Sequence, residues 1–124
     1  MKLKKQKILI VEDDISLSQI LQIALKTKDY EVDIALDGFE AIKKISQNLY
    51  DLILLDINLP KMSGFEVAKK LKMDEKTKNI PIIMITALGQ EENIKRGFEL
   101  GCEDYIIKPF NLEYLCLKIQ KYLK

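Results

Sequence analysis

Three short runs in this chain, KILIV at 7–11, DLILL at 51–55 and PIIMI at 81–85, are apolar at nearly every residue. A strand of that composition has both faces covered, which is the condition of a central strand in a parallel sheet packed between helices. EVDIA at 31–35 alternates instead and suits an edge, and DYII at 104–107 supplies a fifth run. Pro81 fits only at the beginning of its strand. Each run is followed by a stretch of helical period, so five strand–helix units imply an α/β architecture: one parallel sheet with helices on both faces.

The intervening stretches carry their own signals. Leu17, Ile20, Leu21 and Ala24 fall on one face of a first helix, with Asp14 as its N-cap. Ser63 followed by Glu66 predicts a capping box, so the third helix starts just after the turn marked by Pro60 and Gly64. The fifth helix, opened by Asn111, has the longest stripe: Leu112, Leu115, Cys116, Ile119, Tyr122 and Leu123. Between Gln90 and Leu100 only Ile94 and Phe98 offer strong anchors and Gly97 lies inside, which predicts the least firmly held helix. KMDEKTKNI at 72–80 reads as a solvated connection.

A chain of 124 residues with 48% hydrophobic content is long enough for one buried core, and residues 1–124 read as a single domain. Twenty lysines and arginines against 19 acids leave a net charge of +1, which argues against direct nucleic-acid binding through an overall field. The basic start MKLKKQK meets only ILIV before the acids, too short for a signal peptide or a bilayer span. A cytoplasmic protein with no membrane partner is the expectation. Cys102 and Cys116 lack CxxC spacing and read as buried free thiols. The chain has no histidine, which removes imidazole bases, imidazole ligands and self-phosphorylation on histidine.

In open parallel sheets, ligands sit at the carboxyl ends of the strands. There the first strand delivers Glu12, Asp13 and Asp14, the third Asp56, the fourth Thr86 and the fifth Lys108 followed by Pro109. Taken singly, these are a helix cap, solvated loop acids, a turn hydroxyl and a surface lysine. Taken together they conflict with electrostatics, since two carboxylates about 5 Å apart repel by about 3 kcal/mol at an effective dielectric near 20. Oxygen ligands without histidine or cysteine select a hard cation such as Mg2+. An aspartate beside such an ion can attack phosphorus and become an acyl phosphate, with the ammonium of Lys108 and the hydroxyl of Thr86 answering the phosphoryl oxygens.

ILIVEDD, DGFEA at 37–41, LILLDINLPKMSGFE, IPIIMITAL and GCEDYIIKPF together resemble the receiver domain of bacterial two-component response regulators, in order and in spacing. The stretch KKLKMDEKTKNIPIIMITAL is similar to receivers that stand alone or precede diguanylate cyclase domains. The resemblance implies a flavodoxin-like sheet of order 2-1-3-4-5. It also implies Asp56 as phosphoacceptor, Asp13 as direct Mg2+ ligand, Glu12 as a ligand through water and the Asn58 carbonyl as a further ligand. Thr86 and Tyr105 match the switch residues, Lys108 the lysine that pairs with the acyl phosphate, and the Lys108–Pro109 bond would be cis. Without the family, Tyr105 reads as a core-packing aromatic. Receivers that dimerise through the fourth helix, fifth strand and fifth helix carry a charged set there that Ile94, Tyr114 and Lys118 match poorly or only in charge. Asn58 and Leu88 fall at the two variable positions that tune phosphoryl lifetime in the family.

The expected function is therefore a signalling switch, not a turnover enzyme, that takes a phosphoryl group from a histidine kinase or a histidine phosphotransfer protein and presents an altered face to an effector. A haloacid dehalogenase-like phosphatase is the rival enzyme reading. Asn58 in place of its second aspartate, and an acid pair that precedes Asp56 instead of following it, oppose that reading. A flavin carrier is opposed by acids where a phosphate loop belongs. A non-phosphorylated receiver-like interaction domain is a third alternative.

Overall fold

In the computed structural model, which describes residues 4–123, strands and helices alternate: β1 (Lys7–Val11), α1 (Ile15–Thr27), β2 (Glu31–Ala35), α2 (Gly38–Gln47), β3 (Leu52–Asp56), α3 (Gly64–Met73), β4 (Ile82–Ala87), α4 (Glu91–Glu99), β5 (Asp104–Lys108) and α5 (Leu112–Tyr122). Met1–Leu3 and Lys124, the ends of the expected domain range, lie outside the described residues. The five strands are parallel, in the order β2-β1-β3-β4-β5. The edge position predicted for EVDIA and the central positions predicted for the three apolar runs are those observed.

Alternate strand residues face opposite layers, as the two-residue period of a strand requires. Leu9, Val11, Ile53, Leu55, Ile82 and Met84 pack with Ala41 and Ile45 of α2 and with Phe65, Val67, Ala68 and Leu71 of α3. Ile8, Ile10, Leu52, Leu54, Ile83 and Ile85 pack on the other face with Leu21 and Leu25 of α1 and Leu115, Cys116 and Ile119 of α5. Each fully buried side chain of this size contributes about 1.5–3 kcal/mol relative to exposure, so both faces hold the sheet. Cys102 and Cys116 are free and buried, one in each layer.

Four local expectations are corrected. The sheet-facing stripe of α1 is Ser18, Leu21 and Leu25, and Ile20 is 52% exposed. Ser18 can occupy the core face because its hydroxyl donates to the Ile15 carbonyl at 2.9 Å. Leu112, in the first turn of α5, is likewise outside the core. Ser63 does cap α3, but its hydroxyl accepts from the Phe65 N–H at 3.0 Å, and among the described residues Glu66 returns no side-chain bond. The 72–80 connection is exposed along most of its length, as expected, and is anchored through Lys72, whose Nζ donates to the Lys78 and Ile80 carbonyls, each at 3.1 Å, and pairs with Glu103 Oε2 at 3.0 Å.

The fourth correction concerns α4. Its buried residue is Gly97, whereas Ile94 is half-buried and Phe98 exposed. A Cβ on Gly97 would lie 1.7 Å from Met84 Sδ, so the glycine is what lets α4 sit down on β4. Phe98 meets the ring of Tyr105 edge-on at 5.9 Å, and the guanidinium of Arg96 lies 4.3 Å from the Phe65 ring centroid. No side-chain cap closes its N-terminus, in keeping with the weak hold predicted for this helix.

Candidate functional site

Register brings the site together. Val11 pairs with Leu55, so the next residues, Glu12 and Asp56, reach the carboxyl edge side by side. Asp56 is level with Ile85 of β4, which puts Thr86 one step beyond it, and Lys108 is level with Ala87. Beyond β3 the chain turns back sharply. The Gly64 N–H donates to the Ile57 carbonyl at 3.0 Å, and a Cβ on Gly64 would lie 2.4 Å from the Asp56 carbonyl oxygen. Only glycine fits that approach, and it starts α3 directly behind the acid.

The acids are compressed and mostly out of water. Glu12 is fully buried and Asp56 is 4% exposed, while Asp13 is on the surface. One carboxylate oxygen from each of Glu12, Asp13 and Asp56 lies within 4.8 Å of the others. Asp14, next in line, stands apart as the cap of α1, accepting from the Leu17 N–H at 3.0 Å.

Lys108 spans the cluster. Its Nζ donates to Asp56 Oδ2 at 3.0 Å and lies 2.6 Å from Glu12 Oε1, the latter an ion pair set off the hydrogen-bonding direction. The other oxygens are held by backbone: the Asn58 N–H donates to Asp56 Oδ1 at 2.8 Å and the Asp14 N–H to Glu12 Oε2 at 3.2 Å. Burial above all, with the neighbouring Asp56 adding to it and Lys108 opposing it, pushes the Glu12 carboxyl up to about 7. Burial would lower the Lys108 ammonium, but its ion pair with Glu12 and its hydrogen bond to Asp56 outweigh that and raise it.

The Thr86 hydroxyl is buried beside this group, and among the described residues it has no hydrogen-bond partner. A buried hydroxyl left unpaired costs about 1–3 kcal/mol, so its position calls for an acceptor that arrives from outside. Tyr105 is half-buried under α4, with Lys118 Nζ 5.3 Å from its ring centroid, and so satisfies the plain core-packing reading as it stands. The Lys108–Pro109 peptide is cis, as the resemblance implied.

Sequence reasoning named Glu12, Asp13, Asp56, Asn58, Thr86 and Lys108, and all six lie along this one edge. It missed Gln90 and Asn93 at the start of α4. Gln90 Oε1 accepts from Asn93 Nδ2 at 2.7 Å and from Asn58 Nδ2 at 3.5 Å, bringing the amide of α4 to the loop after Asp56. The signal available was that Gln90 is the first polar side chain after Thr86, behind Ala87, Leu88 and Gly89.

The donor set suits a hard divalent cation: three carboxylates, one of them exposed to solvent, with neither histidine nor cysteine in the cluster. No helix among the described residues is long and apolar enough to cross a membrane.

Comparison with known proteins gives a consistent result. The family model described as the response regulator receiver domain matches residues 8–120. The chain is 40% identical over 118 residues to the DNA-binding dual master transcriptional regulator RpaA of Synechocystis, a match covering 95% of this chain and 49% of that protein. It thus spans about half the length of the curated relatives it matches. Among solved structures, the chemotaxis response regulator CheY4 of Vibrio cholerae superposes with a TM-score of 0.90 at 36% identity, covering 96% of this chain and 99% of the other. The receiver domain of the sensor histidine kinase PA1611 of Pseudomonas aeruginosa, which holds a magnesium ion in its active-site cleft, superposes with a TM-score of 0.88 at 28% identity over 97% of this chain and 98% of that one.

Proposed function

The chain belongs to the response regulator receiver domain family, and from that premise we propose that Asp56 is its phosphoryl acceptor and that the rest of the sheet edge serves the acyl phosphate. The observation that carries this is the pairing of a nearly buried Asp56 with Lys108 at 3.0 Å, inside a cluster of acids that only a cation can relieve.

Receiver domains work as signalling switches that interact with histidine kinases and effectors. In the step proposed here, an oxygen of Asp56 bonds to the phosphorus of a phosphohistidine on a partner as the phosphorus–nitrogen bond breaks. The electron pair leaves with the imidazole. Asn58 N–H and Lys108 Nζ already hold the carboxylate in one orientation, which removes part of the ordering cost of the reaction. Mg2+, held by Asp13, Asp56, the Asn58 carbonyl and, through water, Glu12, would offset charge on the phosphoryl oxygens. Lys108 answers the same charge from β5.

The output is conformational. The unpaired Thr86 hydroxyl turns to an acceptor oxygen of the phosphoryl group, and space vacated at β4 lets Tyr105, half-buried in the unphosphorylated protein, pack further inward. Because α4 buries little beyond Gly97 and has no side-chain cap among the described residues, its exposed face can shift, and an effector that prefers one arrangement reads the change. That effector is either another protein or a further part of a longer chain, as in the roughly twofold longer relatives.

The test is phosphotransfer. Incubation with a phosphorylated histidine kinase or with acetyl phosphate should add one phosphoryl group per chain in Mg2+ and none in excess EDTA. Labelling of Asp56→Asn to the same extent would contradict the assignment.

A further inference from the structure

We propose that Gln90 is a positioning residue for loss of the phosphoryl group: it fixes the side-chain amide of Asn58 and thereby sets how long the switched state lasts. The inference rests on the reading of Asp56 as acceptor and concerns its reverse step, hydrolysis.

Asn58 is the first exposed residue after Asp56, and its own backbone N–H donates to Asp56 Oδ1 at 2.8 Å. Its Nδ2 reaches across to Gln90 Oε1 at 3.5 Å. Gln90 occupies the N-cap position of α4, yet its side chain caps no backbone N–H. Instead the same Oε1 takes a short bond of 2.7 Å from Asn93 Nδ2, one turn into the helix, which locks the glutamine amide in place. Nothing else on the β4–α4 connection can do this. Ala87 and Leu88 are apolar, and Gly89, at φ 86°, has no side chain.

The chemistry follows from the geometry of a planar amide. Once Nδ2 of Asn58 is committed to Gln90, Oδ1 is the end left to accept a hydrogen bond. In hydrolysis a water oxygen bonds to phosphorus as the phosphorus–oxygen bond to Asp56 breaks. The electron pair returns to the carboxylate and the water's proton leaves with the phosphate or to solvent. A fixed acceptor at Asn58 orients that water, whereas a freely turning amide does so only part of the time. Because Gln90 belongs to α4, the bond also ties phosphoryl lifetime to the position of the helix that carries the output.

The experiment loads the protein with acetyl phosphate and Mg2+, removes the donor, and follows loss of label. Gln90→Leu should lengthen the half-life roughly fivefold, as expected for loss of one orienting hydrogen bond, with the loading rate and the melting temperature unchanged. Gln90→Glu keeps an acceptor oxygen for Asn58 and should restore a half-life close to wild type. In an Asn58→Ala background, Gln90→Leu should add nothing, since the two residues act in series. An unchanged half-life in Gln90→Leu, or the same fold-change with and without Asn58, overturns the role of Gln90. If Gln90→Leu does not fold, Gln90→Ala is read by the same criteria. Absence of any label on the wild-type protein would instead overturn the reading of Asp56 on which the inference stands.

Discussion

Lys108 donates a hydrogen bond of 3.0 Å to Asp56 although 52 residues separate them, and the same ammonium lies 2.6 Å from Glu12. One cation from β5 therefore holds two nearly buried acids from β1 and β3.

Lys108→Ala leaves those acids facing each other without that counter-charge. Removing one member of a fully buried pair costs about 3–5 kcal/mol, but the Lys108 side chain is 32% exposed and water screens part of the effect. Metal-free stability at pH 7 should fall by about 1–3 kcal/mol in urea denaturation, and saturating Mg2+ should recover a larger increment in the variant than in wild type. Equal stability in EDTA would mean that the ion pair is not what holds the acids together.

Glu12 sets the pH dependence. Its carboxyl is raised from 4.5 to about 7, chiefly by burial, so the folded chain binds this proton more tightly than the unfolded one. The associated stability is fully present below about 4.5 and is lost as pH rises through 7. In EDTA, wild type should lose stability across that window relative to Glu12→Gln, which has no proton to lose there. A pH profile identical in the two proteins is the contrary outcome.

Thr86→Val removes a buried hydroxyl that has no partner among the described residues. The unphosphorylated protein should be as stable or gain about 1 kcal/mol, the reverse of the usual result for a buried polar site. The phosphorylated protein should lose its conformational response, read as unchanged amide exchange in α4 with and without label. A clear loss of stability would show that the hydroxyl is already satisfied.

Gly97→Ala places a methyl group against Met84, which is fully buried and has little room to yield. Overpacking of this kind costs about 1–3 kcal/mol, and α4 should lift from β4, raising amide exchange in the helix before the rest of the fold. Retention of wild-type protection in α4 would show that Met84 repacks.

The layers and the site were legible for different reasons. Runs such as LILL admit only a strand covered on both faces, so the sheet, its edge and its order follow from composition and from the resemblance. Glu12, Asp56, Thr86 and Lys108 were legible because each lies at the carboxyl end of a strand, where register alone brings Glu12 beside Asp56 and Lys108 beside Ala87, whereas Asn58, two residues beyond β3, came from the resemblance. What periodicity could not reveal depends on single contacts. Ser18 replaces Ile20 on the core face because a hydroxyl can satisfy itself within the helix, and Gly97 holds α4 by being absent where Met84 needs space. Lys72 reads as one more solvated lysine, but the carbonyls of Lys78 and Ile80 and the sequence-distant Glu103 surround its ammonium. The Asn58, Gln90 and Asn93 amides likewise belong to different elements and share no sequence pattern.

The most direct test of the assignment is to locate the modification. Protein loaded with acetyl phosphate and Mg2+ should be reduced with borohydride, digested and mapped by mass spectrometry. The account predicts conversion at Asp56 alone, and none in Asp56→Asn. Adducts at Glu12 or Asp13 with Asp56 untouched, or no adduct under conditions that load a known receiver in parallel, would contradict it.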